Sequence, residues 1–178
     1  MSDYGSRELA SAFRTVRKNT VQVAEDIPEA SYGFVAAPEV RSVGLMLTHI
    51  ALATRIFQEV NKPGLTSFEG FDFFGIVDRS RAEEAKPRTK AEILELLRSE
   101  GEKFAGWLES LTPEALAEQV TEPDGKSVKT RLERLLSAKE HEMHHRGQLM
   151  LIERQLGIVP HLTRRFQEIM AQMRAAKA

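Results

Sequence analysis

The chain has 178 residues, 42% hydrophobic and 29% charged, and its 25 basic and 26 acidic residues leave a formal net charge of -1. That length suits one domain with a sizeable core, taken here as residues 1–178, and the even charge argues against the basic excess of a dedicated nucleic-acid binder. With no cysteine there can be no disulfide, thiolate metal site or cysteine nucleophile, so a metal needs His, Asp, Glu or water and any thiol must come from outside.

The first helix is expected over residues 6–27, where Leu9, Phe13, Val16, Thr20, Val23 and Ile27 share one face, and Pro28 ends it. A loop rich in small residues follows to Pro38. A second helix is expected over 42–61, with Ser42 as N-cap and Pro63-Gly64 as stop. Its apolar stripe is Leu45, His49, Leu52, Ala53, Ile56 and Val60. Residues 64–87 form a long connection that is too aromatic for a disordered linker. It reads as a short helix over one end of the bundle or a lid, with packing as the role of Phe71, Phe73 and Phe74.

A third helix opens on the Thr89–Glu92 capping box and buries Ile93, Leu96, Leu97, Phe104, Trp107 and Leu108. Thr112-Pro113-Glu114 reads as the start of a short helix and Asp124-Gly125 as a turn. A long fourth helix is expected over 128–156, ended by Gly157 and Pro160, and a last exposed helix over 163–175. No strand-like alternation of useful length, repeat or low-complexity tract is found. The fold class is all-α: a four-helix bundle with additions. The N-terminus has no signal-peptide core and no apolar run reaches the ~18 residues of a membrane span, which gives the expectation of a cytoplasmic protein with no membrane partner.

The fourth helix carries Glu140-His141-Glu142-Met143-His144-His145-Arg146-Gly147-Gln148. Residues i and i+4 lie roughly 40° apart, so His141 and His145 share a face and can both reach one ion. They fall in one stripe with Ala138, Leu149, Ile152 and Leu156, the side expected to face the core. His144 lies on the flank. His49, in the stripe of the second helix, supplies a third imidazole, and such a set leaves coordination positions for water or substrate. Three imidazoles suit zinc, nickel, copper or iron.

His141-Glu142-x-x-His145 also matches the zincin pattern, with Glu142 as base, but no sheet accompanies it, and the blander reading of Glu142 is a solvated helix carboxylate. A surface ion pair is the ordinary fate of a helical Arg146. His161, Arg164 and Arg165 suit either the mouth of the site or a solvated turn. Leu132, Leu136, Met143 and Met150 give the fourth helix a second apolar face, which favours packing on the terminal helix or, as a homodimer, on another subunit.

Val43-Gly44-Leu45-Met46-Leu47-Thr48-His49-Ile50, Leu111-Thr112-Pro113-Glu114-Ala115-Leu116 and, above all, His141-Glu142-Met143-His144-His145-Arg146-Gly147-Gln148-Leu149 resemble the DinB-like (YfiT-type) metal-binding bundle proteins. The resemblance implies an up-down-down-up bundle with a long connection between helices two and three and an extra C-terminal helix. It implies His49, His141 and His145 as ligands of one divalent ion, zinc or nickel first and iron next, often in a homodimer. Some members resemble thiol-dependent S-transferases that use a low-molecular-weight thiol such as mycothiol or bacillithiol. The function expected is therefore a metal-binding protein acting on a small molecule by thiol transfer. The alternatives are a metal-dependent hydrolase and a non-catalytic metal-binding or stress-response protein.

Overall fold

The computed structural model describes residues 4–177. α1 (Ser6–Asp26) turns Leu9, Phe13, Val16 and Val23 inward and stops before Pro28. A 3-10 turn, Glu29–Ser31, leads toward α2 (Val43–Glu59), where the Ser42 hydroxyl accepts from the Leu45 N–H. α3 (Phe73–Glu84), capped by Asp72, occupies the aromatic connection. α4 (Lys90–Ser110) starts at the Thr89–Glu92 capping box and α5 (Pro113–Ala117) at Thr112. α6 (Arg131–Gln155) and α7 (His161–Ala175) complete the chain.

Two short strands lie before α6. β1 (Gln119–Thr121) and β2 (Val128–Thr130) pair antiparallel around Asp124-Gly125. The Asp124 carboxylate accepts from the Lys126 and Ser127 N–H groups, and Gly125 takes φ +68°. This corrects the expected helix start at 128. Thr130 and Glu133 make a capping box, so the helix begins at Arg131, and three-residue strands are too short to show a period in sequence.

Cross-helix contacts fix the topology. Arg14, early in α1, meets Glu109 late in α4, and Glu25 at the end of α1 meets Arg98 near the start of α4, so these two run antiparallel. Gly44 packs near Ile93 and Arg55 pairs with Glu100, so α2 and α4 are parallel. His49 meets His141 while the Val60 carbonyl accepts from Arg134, so α2 and α6 are antiparallel. In chain order the main helices run up, down, down, up. No helix among the described residues is long and apolar enough to cross a membrane.

The core divides in two. One cluster gathers Val23, Ile27, Met46, Leu47, Ile50, Ile93, Leu97, Leu149 and Ile152. The other gathers Leu9, Phe13, Phe104, Leu108, Leu135 and Ala138. Between them along the helices lie Arg17, Glu100, Glu142 and Arg146, all buried. The inward stripe of α6 is therefore Leu135, Ala138, Glu142, Arg146 and Leu149, centred on Glu142 and not on the histidines. His141 and His145 sit at its edge, facing the seam with α2.

The second apolar face of α6 is partly covered within the chain. Leu132 and Leu136 pack on one core cluster and Met150 on the other, while Met143 is exposed. Phe73 and Phe74 are exposed too, which corrects their expected packing role. α3 lies along α2 without turning these rings inward.

Candidate metal centre

His49 projects from the middle of α2, and His141 and His145 from successive turns of α6. One ligand atom from each ring lies within 4.8 Å of the others, and this is the only such group of three or more metal-ligating side chains among the described residues. His49 Nε2 is 3.1 Å from His141 Nε2. The His145 ring centroid lies 4.6 Å from that of His141 and 5.0 Å from that of His49. Phe57 sets its ring edge-to-face on His141 at 5.5 Å, walling one side.

The outer ring nitrogens of His49 and His145 are occupied. His49 Nδ1 lies 3.0 Å from Glu84 Oε2, and His145 Nδ1 lies 2.8 Å from Gln148 Oε1. Both oxygens are acceptors, so each Nδ1 donates and each Nε2 keeps a free lone pair. Two Nε2 lone pairs cannot face each other at 3.1 Å unless a proton or a cation lies between them. Tetrahedral coordination with 2.0–2.1 Å bonds would set neighbouring nitrogens roughly 3.3 Å apart. The three residues thus fit a divalent ion with one or more positions left open.

The electrostatics agree with that fit. Burial, reinforced by His145, His49 and His144, holds His141 down to about 3. Burial and the Arg41 guanidinium lower His49 against the upward pull of Glu84. Burial lowers His145 as well, opposed by its Gln148 hydrogen bond. Near neutral pH the rings are uncharged, the form that binds metal.

Of the other sequence candidates, His144 stands on the exposed flank as expected, its Nε2 3.4 Å from the Gln148 amide nitrogen. Glu142 is not a solvated carboxylate. It is 2% exposed and accepts from Arg17 Nε at 2.9 Å and Arg17 Nη2 at 2.9 Å, inside the bundle. That placement also removes it from the zincin role. Arg146 is buried and donates to the Val16 carbonyl, where a surface ion pair was expected.

His161 lies 3.3 Å from Asn19 of α1, and Arg164 pairs with Asp26 of α1. These two therefore tie α7 to α1, and neither contacts His49, His141 or His145. Glu84, Arg41 and Gln148 escaped the sequence reading. Gln148, three residues from His145 on one helix, had a usable spacing; Glu84 touches a residue 35 positions away.

The profile of the DinB superfamily matches residues 12–149. YjoA of Bacillus subtilis is 28% identical over 154 residues, covering 85% of this chain and 91% of YjoA. The crystal structure of that DinB-like protein superposes with a TM-score of 0.63 at 25% identity, covering 84% of this chain and 92% of the other. YfiT of Bacillus subtilis, described as a probable metal-dependent hydrolase with an unusual four-helix bundle topology, shares the fold at a TM-score of 0.65 and 17% identity, covering 89% and 91% of the two chains. A DinB-like protein of Bacillus cereus shares it at 0.65 and 17%, covering 86% and 93%. The match over residues 12–149, together with the bundle topology, makes this chain a member of the DinB superfamily.

Proposed function

We propose that the protein binds one divalent metal ion, zinc or nickel, through the Nε2 atoms of His49, His141 and His145, and uses it to hydrolyse a small molecule. The observation that carries this reading is the convergence of three imidazoles, one ring nitrogen of each within 4.8 Å of the others. When bound, such an ion lowers the pKa of a coordinated water toward neutrality. The chain's own residues bind, orient and shield. The three histidines would hold the ion, Gln148 fixes the His145 ring, and Phe57 packs on the His141 ring.

A cavity of about 410 Å³ between α2 and α3 is lined by Leu52, Arg55, Ile56, Ile76, Arg79 and Glu83 and includes none of the three histidines. The description of YfiT as a probable metal-dependent hydrolase supports hydrolysis as the reaction class.

The test is metal content and titration calorimetry on protein purified without a nickel column. One ion per chain is expected. His49→Ala, His141→Ala and His145→Ala should each weaken binding by more than the roughly 10–100-fold typical of residues outside the ligand set. Absence of uptake by the wild type would overturn the proposal. Screening ester and amide substrates with and without a low-molecular-weight thiol separates the reactions, since turnover only with thiol would replace hydrolysis by thiol transfer.

A further inference from the structure

Glu84 is not a ligand, yet it is tied into the centre at both oxygens. It is the last residue of α3 and the only one of that helix that is buried. Oε2 lies 3.0 Å from His49 Nδ1, and Oε1 accepts from Arg41 Nε. Arg41 immediately precedes the Ser42 cap of α2. The chain Arg41–Glu84–His49 therefore links the loop before α2, the end of α3 and the middle of α2.

We infer that Glu84 is the positioning residue of the metal centre, holding His49 with its hydrogen on Nδ1 and its Nε2 toward His141, and that α3 is thereby part of the site. This rests on the metal-binding reading above. A carboxylate on the outer nitrogen of a ligating histidine fixes the tautomer and ring orientation and makes the inner nitrogen more basic.

The other acids of α3 have no such geometry. Asp78 is exposed and lies 3.8 Å from Arg81, and Glu83 pairs with Lys86 and Arg88. Since Glu84 is the helix's one buried side chain, α3 cannot lift from α2 without releasing His49. An amide at position 84 has two ways to sit, and both are worse. With its NH₂ toward the ring it forces the hydrogen onto Nε2, where the ion must bind. With its oxygen toward the ring it turns the NH₂ against Arg41.

The experiment pairs imidazole ¹H–¹⁵N NMR of the ion-free protein with zinc titration against a competing chelator. It compares wild type, Glu84→Gln, Arg41→Gln and Asp78→Asn. The ion-free wild type should show His49 protonated at Nδ1. Glu84→Gln should lose that state and bind zinc roughly 10–100-fold more weakly, with Arg41→Gln between it and the wild type and Asp78→Asn unchanged.

Zinc affinity of Glu84→Gln within about twofold of wild type, with the His49 ring signals unmoved, would overturn the inference. Should that variant fail to fold, Arg41→Gln decides by the same two readings, and no change in either overturns it. If the wild type takes up no zinc, the proposed function fails while the ring signals of the ion-free protein still decide whether Glu84 sets the His49 tautomer.

Discussion

His141 and Glu142 are neighbours on one helix, set about 100° apart, and they meet opposite conditions at the same level of the bundle. Glu142 points inward and is fully paired. Arg17 holds it from two nitrogens and uses the rest of its guanidinium on the Leu97 carbonyl at 2.7 Å and the Ile50 carbonyl at 3.2 Å, so one side chain joins all four main helices. His141 points to the seam with α2, half-buried, and its inner nitrogen faces only another imidazole. A closed polar cluster of this kind specifies how helices meet, whereas an open one has bonding capacity left for something else. This chain carries both in one layer, which puts the candidate chemistry beside the side chain that joins the four helices.

The largest effect should come from opening the closed cluster. Glu142→Ala leaves the Arg17 guanidinium buried without its anion, and a loss of about 3–5 kcal/mol in urea denaturation is expected. His141→Ala in the ion-free protein should lose only about 1 kcal/mol, because the partly buried ring has one neutral hydrogen bond, to His49, and no charge partner. Equal losses would erase the distinction between the two clusters.

The open cluster should respond to metal instead. With zinc at 100 times its dissociation constant, the wild type should gain about 2.7 kcal/mol by mass action, and chelation should reverse the gain. His141→Ala should gain far less. A wild-type melting temperature indifferent to zinc would contradict the expectation.

The second buried carboxylate of α6 sharpens the comparison, because it has no paired cation. Both Glu153 oxygens lack a hydrogen-bond partner, and burial with the nearby Asp26 charge pushes the group up to about 7, against the pull of Arg164 and Arg154. The folded state therefore holds this proton more tightly than the unfolded chain does. Its favourable contribution is complete below the ordinary carboxyl value of 4.5, is lost as pH rises through about 7, and is flat above that. Glu153→Gln stays neutral and should escape the loss. Its stability relative to wild type should climb between pH 5 and pH 8 by on the order of 1–3 kcal/mol in paired denaturation curves. A pH-independent difference would show that Glu153 stays ionised in the folded protein.

What the sequence revealed follows the range of the interactions involved. Ser42, Thr89 with Glu92, and Thr112-Pro113 announced helix starts because a cap is a contact over three residues. The histidine pair at 141 and 145 was legible for the same reason, and His49 through its place in a stripe and the family resemblance. The true inward face of α6 was not. Charged residues are assigned to solvent by default, and Glu142 is overruled only by Arg17, 125 residues earlier. Apolar periodicity accordingly puts the histidines at the centre of the core face when they line its edge, and sets Leu45 in the inward stripe of α2 when it is exposed. Glu84 stayed hidden because its meaning lies in the docking of α3 on α2.

The smallest effects test how rigid the closed cluster is. Gly101 of α4 backs directly on Arg17, and a Cβ there would come 2.7 Å from Arg17 Cγ and 3.0 Å from Arg17 Nη1. The far end of an arginine usually swings aside, but this one is pinned by Glu142, Leu97 and Ile50, so the methyl has nowhere to send it. Gly101→Ala should therefore destabilise by about 1–3 kcal/mol despite the better helix propensity of alanine. Gly106, one turn on and exposed, has nothing within 4 Å of its missing Cβ, and Gly106→Ala should stabilise by up to about 1 kcal/mol. Opposite signs in thermal denaturation would show that the guanidinium is held in place. A gain at both positions would mean that Arg17 can relax, and that the closed cluster is less fixed than its hydrogen bonds make it.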